Sequence, residues 1–309
     1  MNAGPGGTAA PGRPRVSIGM PVYNDDRFLP EALDALLGQT FADFELIIAD
    51  NGSTDGTGRI CRDYARRDPR IRYVRHASNL GQAANFEFVL GEAKGEWFMW
   101  AASDDRWDRD FVERLLNAAT SHPDNIGAFC PYVFTDESGV TLGGPRTFDY
   151  SSRSRPWRLA KFCWYYDDGC FYSLFRRDRL GALRIPRWWA MNAGTPYNLA
   201  YPVLVHVLSL GNLVLAGSRP MWFNRLKSGD GHFVPFRQSR GRSYAALVAR
   251  KVNVLVESAR SVYRATRSPA AVLGSLPPLA ARCVWDCVRP PAAFAAKRLA
   301  RVVPGVRRP

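Results

Sequence analysis

The sequence contains no C-x-x-C pair. Its six cysteines, Cys61, Cys130, Cys163, Cys170, Cys283 and Cys287, have no zinc-ribbon spacing. That pattern argues against structural zinc and against a dithiol redox centre. The thiols are expected to be buried and reduced, as in a cytosolic protein. No run reaches the roughly 18 consecutive apolar residues of a transmembrane helix. Residues 1–14 are rich in Gly, Pro and Ala without an apolar core, so they read as a flexible arm rather than a signal peptide. No G-x-G-x-x-G follows the first expected strand and no G-x-x-x-x-G-K-[ST] occurs, which argues against a Rossmann dinucleotide site and a P-loop. Acidic residues are scarce at one end only. Residues 240–309 hold fourteen Lys and Arg against Glu257 and Asp286, and carry twelve of the fourteen formal positive charges.

The composition is otherwise that of a globular chain. With 309 residues, 46% hydrophobic and 12% aromatic, it can bury a sizeable core. The most informative stretch is Gly95 to Trp107, G-E-W-F-M-W-A-A-S-D-D-R-W. Trp97 to Ala102 is an unbroken apolar run, as expected of a strand buried on both faces. It stops at Ser103, Asp104 and Asp105. Adjacent carboxylates at the end of a buried strand repel each other and cost desolvation energy unless a cation or strong donors meet them. A divalent cation backed by a phosphate satisfies that need, and hard oxygen ligands suit Mg²⁺ or Mn²⁺. The alternative is a helix cap, with Ser103, Asp104 or Asp108 capping a helix that begins near Arg109.

The preceding residues read as βαβαβα. Val16 to Val22 is a strand that ends in the cluster Tyr23 to Asp26. Phe28, Ala32, Leu33, Leu36 and Leu37 recur at helical spacing up to Gly38. Phe44 to Asp50 is a second strand, followed by N-G-S-T-D-G-T, in which Ser53 or Thr54 can cap the next helix. Ile71 to Val74 is a third strand. Asn79, Gly81 and Asn85 lead into a helix with Phe86, Val89, Leu90 and Ala93 on its apolar face. This alternation predicts an α/β fold with a mostly parallel, doubly wound sheet flanked by helices. Ligands of such sheets sit beyond the carboxyl ends of the strands. The clusters Tyr23–Asp26, Asp50–Asp55 and Ser103–Asp105 all fall there, and their convergence favours the cation–phosphate reading.

Four ordered motifs, V-S-I-G-M-P-V-Y-N at 16–24, L-G-Q-T-F-A-D-F-E-L-I-I-A-D-N-G-S-T-D-G-T at 37–57, N-L-G-Q-A-A-N at 79–85 and G-E-W-F-M-W-A-A-S-D-D at 95–105, resemble the nucleotide-sugar half of family 2 glycosyltransferases of GT-A fold. The resemblance covers about the first 140 residues. It implies that Pro21, Val22 and Tyr23 line the nucleotide base and that Asp50 or Asn51 meets its edge. The second position is Asn51 where the family more often has Asp, and an Asn carbonyl can still accept from a base N–H. Asn79, Gly81 and Asn85 would lie near base and ribose. Asp104 would face the ribose, and Asp105 would hold the Mn²⁺ or Mg²⁺ that bridges the diphosphate. An acceptor hydroxyl would then attack the sugar C1 with help from a general base, inverting the anomeric centre.

The second half is less regular. Ile126 to Thr135 reads as a strand, and Asp136 to Gly139 as a turn into Val140 and Leu142. The family's acceptor side corresponds to Trp157–Arg177. The aromatics there, beside Asp167 and Asp168, can stack on a sugar or serve as core. Residues 192–200, where the family usually places an acid, contain no carboxylate. The base is left to Asp168, or Asp167 beside it, to Asp230 in a later loop, or to no residue at all. His232 is a candidate partner of metal or diphosphate, with Arg225 and Lys227 as phosphate partners. Val203 to Leu210 reads as a helix and Leu213 to Ala216 as a strand. The chain therefore divides into an arm at 1–14, a GT-A domain at 15–239 (nucleotide-sugar half 15–125, acceptor half 126–239) and a basic amphipathic helical extension at 240–309. The extension suits an anionic membrane surface or packing on the domain. Nucleic acid could also attract such charge, but no nucleic-acid motif accompanies it.

The expected activity is metal-dependent transfer of a sugar from a nucleotide-diphosphate donor to a saccharide or lipid-linked saccharide, in cell-surface polysaccharide or glycolipid synthesis. The expected location is the cytoplasm, with the inner face of the cell membrane as the surface the extension would meet. A non-catalytic nucleotide-sugar-binding or membrane-docked scaffold is the alternative, kept open by the missing acid at 192–200.

Overall fold

The computed structural model describes residues 13–152, 154–164, 167, 169–181, 183–185, 200–227 and 244–281, with the backbone alone over 244–254. The first four strands and the helices between them follow the expected alternation. They are β1 (Val16–Val22), α1 (Leu29–Leu37), β2 (Phe44–Asp50), α2 (Thr57–Arg67), β3 (Ile71–Arg75), α3 (Gln82–Glu92) and β4 (Trp97–Trp100). β1 pairs in parallel with both β2 and β4, and β2 pairs in parallel with β3. All four residues of β4 are buried, and they alternate between two cores. Phe98 and Trp100 join one cluster; Trp97 and Met99 join the other. Trp100 stacks on Phe171 with centroids 4.5 Å apart and donates its indole N–H to the Phe86 carbonyl. A strand with no polar residue is stable here because apolar layers cover both its faces. It ends two residues earlier than expected, although the Ala101 N–H still donates to the Gly19 carbonyl.

Beyond β4 the chain departs from simple alternation. β5 (Arg106–Trp107) precedes α4 (Phe111–Thr120). The strand expected over 126–135 is two strands, β6 (Asn125–Phe129) and β7 (Tyr132–Thr135), in different sheets. The break falls at Cys130–Pro131. Proline has no N–H to continue a ladder, and the Pro131 carbonyl instead accepts from the Met221 N–H. β8 (Thr141–Arg146) completes the expected hairpin with β7. α5 (Arg155–Trp164), a 3₁₀ turn at Gly169–Tyr172, β9 (Leu174–Arg176) and α6 (Arg177–Leu180) follow. α7 (Ala200–Leu210), β10 (Asn212–Leu215), β11 (Trp222–Arg225) and α8 (Tyr244–Thr266) complete the labelled elements, and a helical stretch at 269–281 follows.

The large sheet has the order β10-β6-β9-β4-β1-β2-β3, and the small one β5-β11-β7-β8. β9 is antiparallel to both of its neighbours. It therefore sits as a three-residue wedge in an otherwise parallel sheet. β5 and β11 pair antiparallel and bring Arg106–Trp107 against Trp222–Phe223. The basic extension, left open between membrane and domain, packs on the domain over its described part. α8 lies on α7, and Val262, Ala271 and Leu279 are buried in the core that also contains α7. Among the described residues no helix is long and apolar enough to cross a membrane. Among the described residues, Cys61, Cys130, Cys163 and Cys170 are buried, as expected.

The wedge is tight. A Cβ on Gly127 would lie 2.4 Å from the Leu174 carbonyl oxygen, while one on Gly144 in β8 would meet nothing. Gly127→Ala should therefore cost about 2 kcal/mol in chemical denaturation, as overpacking does. Gly144→Ala, in the exposed hairpin, should stay within about 0.5 kcal/mol of the parent.

Candidate active site

The carboxyl ends of β1, β2 and β4 meet at one crevice, and side-chain-to-backbone hydrogen bonds knit their loops together. Asn24, in left-handed backbone at φ 50°, accepts from the Thr54 N–H and donates its own N–H to Ser53 Oγ. The Asp25 N–H donates to Thr57 Oγ1, and Asp26 Oδ2 accepts from the Gly56 N–H. Asp26 and Asp55 therefore serve the start of α2, rather than Ser53 or Thr54. Gly52 has φ 78°, and a Cβ there would lie 3.0 Å from the Ser78 carbonyl carbon. Glycine is what lets the 51–57 loop close on the 78–81 loop.

Three carboxylates lie at the centre. Asp25 is 7% exposed and accepts from Ser103 Oγ at 2.5 Å and from Lys227 Nζ at 2.7 Å. Asp104 Oδ2 is 2.9 Å from the same ammonium. Lys227 thus bridges two carboxylates from different loops. Burial would lower the Lys227 pKa, but the charges of Asp104 and Asp25 outweigh it and hold the ammonium above the usual lysine range. Burial pushes Asp104 up from the ordinary carboxylate range, with Lys227 opposing. Asp105 differs from both. It is 1% exposed, and both of its oxygens face protein donors. Trp222 Nε1 donates at 2.7 Å, the Arg225 backbone N–H at 2.9 Å and Asn224 Nδ2 at 3.3 Å. Burial first, then the charge of Asp104, raises its pKa well above the usual value, and these donors oppose the shift. Beside it, Arg225 pairs with Glu31 at 2.5 Å and lies 4.5 Å over the Phe28 ring. Its Nε and Nη1 are buried without a hydrogen-bond partner among the described residues.

The crevice thus combines strand-end loops, a carboxylate pair around a cation and a buried guanidinium with unused donors. The profile described as Glycosyl transferase family 2 matches residues 17–182. The chain belongs to that family. The putative teichuronic acid biosynthesis glycosyltransferase TuaG of Bacillus subtilis is 28% identical over 181 residues, 56% of this chain and 67% of TuaG. Glycosyltransferase GlyA of Streptococcus pneumoniae is 29% identical over 126 residues, 41% of this chain but 18% of GlyA. The chain's match therefore spans under a fifth of GlyA. Among solved structures, S. aureus TarS residues 1–349 in complex with UDP-GlcNAc superposes with a TM-score of 0.63 at 16% identity, over 87% of this chain and 72% of that one. That likeness is one of fold, and it agrees with the GT-A architecture expected from the motifs.

The residues expected at the family's donor site divide into two groups. Tyr23 is 47% exposed at the end of β1, above buried Val22 and half-buried Pro21. Asn79 and Gly81 lie on the neighbouring loop, and Gly81, at φ 86°, opens α3. Asn51 reaches that loop with both side-chain groups. Its Nδ2 donates to Asn79 Oδ1, and its Oδ1 accepts from the Leu80 N–H at 2.8 Å. The carbonyl expected at the base edge therefore already accepts one bond inside the protein. Asp50 is fully buried, accepts from the Ser53 N–H and Tyr73 Oη, and faces Arg75 at 3.6 Å. Asn85 is buried between the Ala49 carbonyl and His76. Through these bonds all three residues tie the loops together. Asp105, expected as the metal ligand, is buried and held by three N–H donors. Asp167 is buried, accepting from Tyr132 Oη at 2.9 and 3.0 Å and from the Gly169 N–H. Asp168, Asp230 and His232 lie outside the described residues.

Sequence reading missed Asp25 as a partner of Asp104. Its signal was its place in the cluster after β1, but capping was reason enough for an acid there. Pairing through Lys227 joins residues 202 positions apart, which no local pattern records. The two adjacent carboxylates should separate on mutation. Asp105→Ala leaves the Trp222 and Arg225 N–H groups unpaired and should cost about 2 kcal/mol in urea unfolding. Asp104→Ala removes one arm of a partly exposed ion pair and should cost under about 1 kcal/mol.

Proposed function

We propose that this protein transfers a sugar from a nucleotide-diphosphate donor to a hydroxyl of a saccharide or lipid-linked saccharide in polysaccharide synthesis. The convergence of Asp25 and Asp104 on the Lys227 ammonium carries the reading. It marks a cation position at the strand ends where a GT-A fold receives its donor. TarS, which shares the fold, was solved with UDP-GlcNAc, and the TuaG name refers to teichuronic acid synthesis. Both support a nucleotide sugar and a polymeric product.

A divalent cation fits this donor set. Hard carboxylate oxygens already surround a positive charge, and Mg²⁺ and Mn²⁺ sites commonly combine one or two carboxylates with substrate phosphates and water. We assign Asp104 as the carboxylate that would hold Mn²⁺ or Mg²⁺, with Asp25 beside it, in place of Asp105. Among the described residues no group of three or more His, Cys, Asp or Glu could hold a metal alone, so the diphosphate would complete its shell. Bound there, the cation would neutralise charge on the departing diphosphate. Lys227 and the unused Arg225 donors are the chain's own phosphate partners, and His232 is a further candidate. Tyr23 and the 79–81 loop form the wall against which the nucleoside would lie.

In the transfer itself the acceptor hydroxyl attacks C1, the bond from C1 to the diphosphate oxygen breaks, and the hydroxyl proton passes to a base. One displacement inverts the centre. Asp168 is our choice of base, with Asp230 as the alternative. Its neighbour Asp167 is linked through Tyr132 to Trp222, with centroids 4.5 Å apart, and Trp222 donates to Asp105. Asp167 and Gly169 are thereby tied to Trp222 in β11.

Calorimetric titration with UDP, GDP and dTDP, each with Mn²⁺ and with EDTA, tests the reading. One nucleotide should bind, at least about tenfold more weakly in EDTA, and Mn²⁺ alone should bind poorly. Asp104→Ala should lose the metal-dependent part while remaining folded. If none of the three binds to folded protein, the assignment fails.

A further inference from the structure

A second polar cavity lies away from this crevice. It has a volume of about 630 Å³, and its lining includes Arg155, Arg158, Arg176, Arg179, Asp124 and Asn212. β6 is antiparallel to β9, and β9 to β4, so β6 runs in the direction of β4, and β10 runs with β6. Asn125 and Asn212 begin β6 and β10. The cavity is therefore at the amino-terminal edge of the sheet, opposite the strand ends that hold Asp25 and Asp104.

Its charge is not balanced from within. Asp178 pairs with Arg176 at 3.2 Å and with Arg179 at 3.7 Å. Arg155 and Arg158 have no carboxylate partner among the described residues. Their bonds go to backbone carbonyls. Arg155 Nε donates to Ser209 at 2.7 Å, Arg158 Nε to Leu208 at 2.8 Å and Arg158 Nη1 to Ser152 at 2.5 Å. The Leu208 and Ser209 carbonyls end α7, so capping a helix C-terminus accounts for one guanidinium edge of each. It does not account for the remaining N–H groups, or for two cations placed side by side. Arg158 is 5% exposed. Burial and the charge of Arg155 push its pKa down to about 10. Buried charge of one sign is costly unless an anion meets it. Asp178 pairs with two of the four guanidinium groups and Asp124 on the lining pairs with none of them, so the four carry an excess positive charge suited to a dianion.

We infer that this cavity binds a phosphate-bearing anion, a phosphomonoester or diphosphate, through Arg155, Arg158, Arg176 and Arg179. Planar guanidinium forks match phosphate oxygens in pairs. The volume is that of a small-ligand site and exceeds what inorganic phosphate fills. Two sources share this chemistry: a soluble phosphorylated metabolite and a lipid headgroup. Exposed apolar side chains adjacent in sequence to lining residues, or to residues packed on them, bear on the choice. Trp157 is 60% exposed between Arg155 and Arg158, and Leu273 is 68% exposed on the 269–281 stretch, where Gly274 approaches Pro156. An exposed indole and leucine beside arginines suit a headgroup at a membrane surface.

The test uses the full chain in EDTA with Asp104→Ala, so that the donor crevice contributes no metal-dependent phosphate binding. One arm titrates pyrophosphate by calorimetry. The other measures sedimentation with phosphatidylcholine vesicles, with and without phosphatidic acid. Saturable binding in either arm is expected, at least about tenfold weaker in the double variant Arg176→Gln/Arg179→Gln. Those two side chains are partly exposed, so the variant should fold; Arg155→Gln provides an independent second site. Pyrophosphate binding alone assigns a soluble ligand, and binding only to phosphatidic acid vesicles assigns a headgroup. Residues 240–309 are intact in every variant. Binding undiminished in both variants would belong elsewhere and overturn the inference, as would no saturable binding in either arm.

Discussion

The buried carboxylate of Asp105 is the joint on which the crevice depends. It lies five residues beyond the end of β4 in the large sheet, and the groups it binds belong to β11 in the small one. Fixing the Trp222 indole and the Arg225 backbone N–H sets where β11 ends. That in turn delivers Lys227, two residues later, between Asp25 and Asp104. A buried carboxylate is tolerated here because its donors are N–H groups whose own burial would be costly if unpaired. The same contact that holds the sheets together thereby places the cation.

Adjacent aspartates have divided the work. Asp105 is enclosed by its donors, whereas Asp104, in the turn just before β5, meets the Lys227 ammonium. The pattern D-D therefore places two like residues in different surroundings, one enclosed by N–H donors and one beside an ammonium. A similar division holds around the nucleotide wall. Asn51 and Asn79 tie their loops together, while Tyr23 is left exposed. Loop architecture consumes most of the polar atoms, and what it leaves over is available to a ligand.

The two ends of the sheet hold opposite electrostatic problems. At the carboxyl end, carboxylates gather and a lysine offsets them. At the amino-terminal edge near β6 and β10, guanidinium groups gather, and among the described residues Asp178 is the carboxylate paired with them. Both are concentrations of like charge that the fold maintains at a cost. They bracket the molecule as a cation-seeking crevice and an anion-seeking cavity.

Most of the first 120 residues was legible from the sequence. The strands Val16–Val22 and Phe44–Asp50 have the expected bounds, since local periodicity and Gly, Asp and Asn punctuation are physical properties of short segments. The family motifs, too, are local strings. What local patterns do not record is pairing at a distance. The three-residue β9 has no period to detect, and its antiparallel insertion follows from space between β4 and β6. The break at Pro131 depended on a second sheet being present to receive β7. By itself the sequence determined the alternation, the family and the crevice's position at the strand ends, because these follow from chain-local chemistry. Only the tertiary structure decided that Asp105 is enclosed by donors from β11 and that Asp25 and Asp104 meet at Lys227, because hydrogen-bond partners are chosen by proximity in space and not by spacing along the chain.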